Sequence, residues 1–329
     1  MTERGSARGR DSLGSRDIAL GAALVTALAG VVAALALALP DPPWVRAGRA
    51  VSFWLLSLPP LLLALPAWLS GARGVAESRL YRWLFGAALL AALVPEQLAR
   101  GSAGDLLGPV LIAAVSLLLT ADRPRSPGPL PRDLLLVAVL WFPLELGWVN
   151  GDPILLRLFG LDLLLLLYLV ERPVFELGRL LPLKGREIAW GVGAWAGFLV
   201  PAIPIALITG FASFGLSQRP AGDWMLFMVS TFWIIALPEE ALFRGVIQSL
   251  LQKAFRSTAW ALALAAVIFG LSHLNNGVGN APDWRYVLLA SIAGSAYGLA
   301  YIKTRNLTAP VLTHFLVDLT WRGFFAGSG

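Results

Sequence analysis

Long apolar runs separated by short polar segments dominate the chain. They fall at about 18–39, 51–70, 83–95, 105–120, 133–149, 153–170, 187–209, 225–250, 258–273, 285–302 and 308–326. About 20 apolar residues can cross a bilayer as a helix, and backbone polar groups in lipid must be satisfied within such a helix. The pattern therefore predicts an all-α, polytopic membrane protein with about eleven transmembrane helices. Several runs are short, so adjacent pairs can also be re-entrant.

The first apolar run has two interpretations. Residues 1–17 are polar and basic, and an apolar run of 22 residues follows from Ile18 to Leu39. The apolar region of a signal peptide usually has about 7 to 15 residues. The length therefore favours a first membrane helix, while the "ALALALP" end of the run keeps a cleaved signal as the alternative.

Basic residues are distributed unequally between alternate loops. If the amino terminus is cytoplasmic, the inside segments carry 18 arginines and lysines and the outside loops carry five. Cytoplasmic loops of membrane proteins are enriched in Lys and Arg. The asymmetry predicts that the amino terminus lies inside and the carboxyl terminus outside.

Composition narrows the chemistry that the chain can perform. With 57% hydrophobic and 14% charged residues, a soluble domain is excluded. The absence of cysteine excludes disulfides, thiol nucleophiles and thiolate metal sites. The net charge of +6 resides in short loops rather than in a patch, which argues against nucleic acid as a partner. The excess of arginine over lysine, together with the Ala, Leu and Gly content, indicates a bacterial source and a plasma-membrane location.

Two glutamates and an arginine interrupt one apolar run, in the segment "LPEEALFRG" at residues 237–245. A charged side chain at the centre of a bilayer costs about 2.5 kcal/mol or more. Glu240 and Arg244 are one helical turn apart and can neutralise each other. Glu239 has no such partner in its own helix, which makes it a candidate for chemistry.

The chain contains two histidines, and both lie in apolar runs of its last third. His273 shares a helix face with Phe269, and His314 shares one with Asp318, because residues four apart lie on the same side of a helix. At about 1.5 Å per residue, polar groups from three helices can meet near mid-membrane. These polar groups would form a catalytic site. Alternatively, His273, His314 and Glu239 would form a zinc site of two histidines and one carboxylate with an open position.

Three further charged residues lie in apolar runs, namely Glu145, Arg157 and Asp162. Arg157 and Asp162 are five residues apart and close to the end of a run. Long basic side chains near helix ends can extend to the membrane surface, or the two residues can pair with each other. We interpret these residues as structural.

Two pairs of glycines have the spacing that permits close helix contact, Gly193 with Gly197 and Gly294 with Gly298. We interpret both pairs as packing sites. The chain shows no internal repeat of the kind found in inverted-repeat transporters.

The polar motifs occur in a characteristic order. Glu-Glu-x-x-x-Arg stands as "EEALFR", Phe-x-x-x-His as "FGLSH" and His-x-x-x-Asp as "HFLVD". This order resembles the CAAX protease and bacteriocin-processing family, which includes the eukaryotic Ras-converting endopeptidase. The resemblance covers roughly residues 187–326 and implies a glutamic-type intramembrane peptidase with a helical catalytic core.

The resemblance also implies roles for individual residues. Glu239 corresponds to the glutamate that activates a water, with help from His273. His314 and Asp318 correspond to the pair that stabilises the oxyanion. The eukaryotic enzymes carry asparagine in place of Asp318, and an ionised aspartate cannot donate a hydrogen bond. Asp318 would therefore be protonated, or would act by orienting His314.

The remaining motif residues, Glu240, Arg244 and Phe269, would support the geometry of the site. The resemblance favours a mechanism without a bound metal, with zinc on Glu239, His273 and His314 as the alternative. The predicted organisation is a cytoplasmic basic tail at 1–17, a membrane region of about four helices and unknown role at 18–132, and a peptidase-like core at 133–329 with its motifs in 237–318.

Two other functions compete with the peptidase. A proton-coupled transporter would also place carboxylates and histidines in the membrane, and a catalytically silent binding or immunity protein could use the same scaffold. For the peptidase, the expected partners are the lipid bilayer and a peptide or protein substrate that reaches the site from the cytoplasm or the bilayer.

Overall fold

The computed structural model describes residues 41–63, 79–120, 130–174, 185–277 and 281–326. The basic tail and the first apolar run, with its two interpretations, lie outside these residues, so the description begins near the second run. The described residues are almost entirely helical. The helices are α1 (Pro43–Leu63), α2 (Arg79–Arg100), α3 (Ala103–Leu119), α4 (Leu130–Glu145), α5 (Pro153–Glu171), α6 (Gly185–Ile208), α7 (Ala221–Phe255), α8 (Thr258–Leu271), α9 (Trp284–Thr304) and α10 (Thr308–Phe324).

Each of these helices overlaps one of the predicted apolar runs, which confirms the all-α fold class. In the described part of the chain, α5, α6, α7 and α9 are long and apolar enough to cross a membrane. Helices α3 and α8 are apolar but shorter. The count of about eleven spans and the cytoplasmic amino terminus stay predictions.

Helix α5 lies at the centre of the molecule. It is apolar on all sides, and every residue from Leu158 to Val170 is buried, as expected for a helix surrounded by others. It packs against α1, α2 and α4 and also against α7. Its first turn is capped by Asp152, which accepts hydrogen bonds from the Ile154 and Leu155 amides. The helix therefore connects the amino-terminal helices to the helix that carries the glutamate pair.

Short connections join α7 to α8 and α9 to α10. The last turns of α7 and α9 are ended by Arg256 and Arg305, which adopt left-handed conformations with φ of 52° and 63°. Ser257 then caps α8 through its side-chain oxygen. The ends of α6, α8 and α10 lie together near the start of α9.

Contacts between the connecting segments confirm this arrangement. Strand β1 (Ser213–Phe214), which follows α6, pairs in antiparallel fashion with β2 (Phe325–Ala326), which follows α10. Arg285 at the start of α9 donates hydrogen bonds to the carbonyls of Thr209 and Gly210. We call this end of the bundle, formed by the described segments 209–220, 272–277 and 281–283 and the end of α10, the open end.

The two predicted glycine packing sites differ. A methyl group added at Gly294 would lie 3.1 Å from Ala266 Cα, so α8 and α9 approach closely there. A methyl group at Gly298 would lie 2.4 Å from Leu262 Cδ1. By contrast, a methyl group at Gly193 or Gly197 would meet no described atom within 4 Å. The packing interpretation is therefore confirmed for the second pair and wrong for the first, whose glycines line an open apolar groove.

Candidate active site

A cavity of about 260 Å³ is lined by residues from each helix of the series α5 to α10, on the side of the open end. The motif residues that line it are Glu239, Phe269, His273, His314 and Asp318. The lining also includes residues that the sequence did not single out for the site, among them Arg157, Asn276, Tyr286, Tyr297 and Arg322. The structure thus brings together, from α7, α10 and the end of α8, every residue predicted to be catalytic.

The glutamate pair lies between two π-helical segments of α7, Thr231–Ala236 and Ala241–Gln248. Pro238 has no amide hydrogen and cannot continue the regular hydrogen-bond ladder. The preceding amide, that of Leu237, donates to the carbonyl of Phe232 five residues earlier. Such wide turns occur frequently at functional sites. Here they frame the one α-helical turn, Leu237–Glu240, that carries both carboxylates.

Glu240 is fully buried behind the cavity. Its Oε1 atom accepts a hydrogen bond from Arg244 Nη1 at 3.0 Å and another from His314 Nδ1 at 2.8 Å. The predicted pair with Arg244 is therefore present. Its second partner, His314, lies 74 positions further along the chain and was not predicted from the sequence.

Arg244 connects the glutamate pair to α9. Its Nη2 atom donates to the carbonyl of Gly294 at 3.2 Å. Its guanidinium lies over the rings of Phe269 and Tyr297, at 4.3 and 4.9 Å from their centroids. A guanidinium above an aromatic face is attracted by the ring electrons. The charge of Arg244 is thus compensated on three sides, by a carboxylate, a carbonyl and two rings.

The hydrogen bond to Glu240 fixes how His314 faces the cavity. A carboxylate can only accept, so Nδ1 carries the hydrogen and Nε2 points away from Glu240. The Nε2 atom lies 3.9 Å from Glu239 Oε2 and 3.7 Å from Asp318 Oδ2. The ring stacks on Tyr297 with 4.8 Å between centroids and 15° between planes. His314 is held on two sides and presents one nitrogen to the reacting volume.

His273 lies in the turn just after α8, two residues beyond the helix end at Leu271. Its Nδ1 atom is 2.8 Å from the carbonyl oxygen of Phe269, so Nδ1 is the donor because a carbonyl only accepts. Its ring also packs against Tyr286 at 5.2 Å. In neutral His273 the lone pair is therefore on Nε2.

Glu239 is the carboxylate that faces the cavity. Its Oε2 atom is buried and has no hydrogen-bond partner among the described residues. Its Oε1 atom lies 4.0 Å from Arg157 Nη1. A buried carboxylate oxygen without a partner is uncommon in folded proteins. Glu239 is accordingly suited to bind water or substrate.

The charged residues interpreted as structural do not all behave alike. Arg157 does not pair with Asp162 but lies 3.5 Å from Glu145 and lines the cavity. Asp162 is completely buried, and neither of its oxygens has a hydrogen-bond partner in the described residues. The structural interpretation of Arg157 stays a prediction, although its side chain lines the cavity and lies 4.0 Å from Glu239 Oε1.

The arrangement of the acidic and histidine side chains bears on the alternative of a metal centre. Across the described ranges, no group of three or more His, Asp or Glu side chains is arranged to hold a metal ion. The alternative zinc ligand set of Glu239, His273 and His314 is therefore not assembled in this structure.

Comparison with known proteins supports a protease. Residues 221–320 match the family model described as type II CAAX prenyl endopeptidase Rce1-like. This segment runs from the start of α7 into α10 and contains all three motifs, so the predicted resemblance is confirmed over a somewhat shorter range than expected. No curated protein and no solved structure matches the chain significantly. The family match and the four apolar helices together identify an integral membrane protein with a protease-type domain.

Proposed function

From the Rce1-like domain at residues 221–320, we propose that the protein is an intramembrane endopeptidase in which Glu239 activates the attacking water. The observation that carries this proposal is the contrast between the two neighbouring glutamates. Glu239 turns into the cavity a buried oxygen that has no partner in the described part of the chain, whereas Glu240 is hydrogen-bonded to Arg244 and His314. The family match supports a peptidase and lends no support to the transporter or the silent binding protein.

The proposed reaction begins with a water between Glu239 and His273. Glu239 accepts a proton from the water while the water oxygen forms a bond to the carbonyl carbon of the peptide. General-base catalysis of this kind contributes about 10² to 10⁴ in rate. The tetrahedral intermediate then collapses, the carbon–nitrogen bond breaks, and the proton on Glu239 passes to the leaving nitrogen.

The oxyanion formed in this reaction needs a hydrogen-bond donor. His314 in its protonated form donates from Nε2, because its Nδ1 hydrogen is used by Glu240. Donors held in place before the reaction stabilise developing charge without reorganisation. Asp318 lies 3.7 Å from the same Nε2, and we assign it to the orientation of His314 rather than to contact with the oxyanion.

The proposed substrate is a peptide or a membrane-associated protein. The name of the matched family refers to prenylated proteins, but no feature of this cavity requires a prenyl group, and we do not extend the proposal to prenylation. We propose a metal-free reaction and a bacterial plasma-membrane location.

A peptide-cleavage assay tests this function. Wild-type protein and Glu239→Gln, purified in detergent, are compared on a quenched fluorogenic peptide library, with and without a zinc chelator. We expect cleavage by the wild type, a loss of about 10² to 10⁴ in the variant, unchanged folding and no effect of the chelator. Turnover by Glu239→Gln near the wild-type rate contradicts the assigned base. Stoichiometric zinc that is lost together with activity contradicts the metal-free reaction, and a wild type that cleaves nothing contradicts the peptidase.

A further inference from the structure

Arg157 reaches the candidate active site from outside the family-matched segment. It lies in the second turn of α5, whereas the match begins at residue 221. The next two residues of α5, Leu158 and Phe159, are completely buried, but the side chain of Arg157 is 33% exposed and lines the cavity. A helix that is otherwise surrounded by protein thus presents one cation to the site.

The guanidinium of Arg157 stands between two carboxylates. Its Nη2 atom is 3.5 Å from Glu145 Oε1, and its Nη1 atom is 4.0 Å from Glu239 Oε1. The other oxygen of Glu239, Oε2, has no hydrogen-bond partner within the described ranges and lies 3.9 Å from His314 Nε2. The two oxygens of Glu239 are therefore in different surroundings, one beside a cation and one facing the reacting volume.

We propose that Arg157 is a positioning residue that holds Glu239 by Oε1, so that Oε2 stays directed at the water and the scissile carbonyl. This inference rests on the proposed peptidase function. A carboxylate on a flexible side chain must be held in one rotamer to act as an efficient base, and a small misplacement of a reacting group can lower the rate by about 10²-fold. Helix α5, which lies outside the family-matched segment, would thereby contribute directly to the site.

A structural role for Arg157 is the competing explanation, and α5 is anchored without it. At its start, Asp152 caps the helix and lies 2.7 Å from Arg49 Nε of α1. Just beyond its end, the buried side chain of Arg172 pairs with Asp133 of α4 at 2.8 Å. A half-exposed ion pair at 3.5 Å adds little to folding compared with these contacts. Removing Arg157 should therefore change the chemistry more than the fold.

The test compares Arg157→Gln and Arg157→Lys with the wild type on a fluorogenic peptide that the wild type cleaves. For the glutamine variant we expect a fall in kcat of about 10- to 100-fold, a KM within about threefold of the wild type, and an unchanged melting temperature in detergent. Lysine keeps a charge at this position and should recover part of the lost kcat. A kcat for Arg157→Gln equal to that of the wild type would overturn the proposal, as would an equal loss in both variants together with a lowered melting temperature.

Arg49→Gln is the matched control. It removes an arginine that contacts the start of the same helix but does not line the cavity, and we expect near wild-type turnover. If Arg49→Gln lowers kcat as much as Arg157→Gln does, displacement of α5 explains both effects and the proposal fails.

The double variant Arg157→Gln with Glu239→Gln separates this inference from the proposed function. If Arg157 acts only through Glu239, adding its substitution to Glu239→Gln should cause no further loss. A further loss contradicts the positioning role. Full activity in Glu239→Gln itself contradicts the proposed function instead.

Discussion

Glu240 is completely buried, and its Oε1 atom accepts two hydrogen bonds, one from Arg244 and one from His314. Replacing it by glutamine leaves Arg244 without its carboxylate and removes the charged acceptor that holds His314. Breaking a buried ion pair by removing one partner costs about 3 to 5 kcal/mol. We expect Glu240→Gln to lower both the melting temperature in detergent and the rate of peptide cleavage.

Glu239→Gln provides the comparison for this prediction, because it changes a neighbouring carboxylate whose Oε2 atom has no hydrogen-bond partner among the described residues. It should keep the melting temperature of the wild type. A Glu240→Gln protein that is as stable as the wild type yet inactive would show that Glu240, and not Glu239, performs the chemistry.

Spacing along one helix is sufficient to predict part of this site. Glu240 and Arg244 are one turn apart, so their pairing follows from the sequence. The hydrogen bond from His314 to Glu240 and the approach of Arg157 to Glu239 depend on the packing of α7 against α10 and α5. Such contacts between distant residues have no local signal, because the pattern of a single chain does not specify which helices are neighbours.

At the scale of the elements, the contact between α8 and α9 holds His273 and Phe269 in place. A methyl group at Gly270 would lie 2.6 Å from the carbonyl oxygen of Val287 and 2.0 Å from Ser291 Oγ in α9. Overpacking of this kind commonly costs about 1 to 3 kcal/mol. We expect Gly270→Ala to lower the melting temperature and the cleavage rate together, because α8 must move away from α9 and carries His273 with it.

Gly193→Ala is the matched substitution for this element. Its added methyl group meets no described atom within 4 Å, and alanine is favoured over glycine in a helix by about 1 kcal/mol. It should leave stability unchanged or slightly increase it. Equal destabilisation by both substitutions would show that the loss of glycine itself, rather than the α8–α9 contact, is responsible.

The elements themselves were largely predictable, since apolar periodicity and length identify helices. Their exact form was less so. The sequence did not predict the π-helical segments of α7, although Pro238 marks their position, and helix α8 ends at Leu271 rather than at His273. The glycine spacing was also ambiguous, because Gly193 and Gly294 have the same local pattern and only their neighbours in the fold distinguish them.

The whole molecule has two chemically different ends. The cavity lies on the side of the open end, and none of its lining residues comes from the connections at the opposite end. That opposite end, which we call the basic end, carries arginines and lysines from the start of α6, the last turns of α7 and α9, and the turns that follow α7 and α9. These are Arg186, Lys253, Arg256, Lys303 and Arg305.

The position of the basic end relates the predicted membrane orientation to the side from which substrate reaches the cavity. Enrichment of basic residues on the cytoplasmic side would place the basic end inside, in agreement with the asymmetry of 18 to five in the complete sequence. The open end then faces outside. If the basic end is cytoplasmic, the cavity does not open to the cytoplasm, and the charge asymmetry favours substrate that arrives from outside or from the bilayer.

The orientation can be tested directly because the chain contains no cysteine, so a single introduced thiol is the only reactive one. Gln218 is an exposed residue in segment 209–220 of the open end and does not line the cavity. Ala254 is exposed at the basic end. Each is replaced by cysteine in a separate variant. A membrane-impermeant maleimide added to intact cells should label Gln218→Cys and should label Ala254→Cys only after the membrane is permeabilised. Cleavage activity of both variants serves as the control for correct folding. The reverse labelling pattern would place the open end in the cytoplasm, refute the predicted topology and restore access of substrate from the cytoplasmic side.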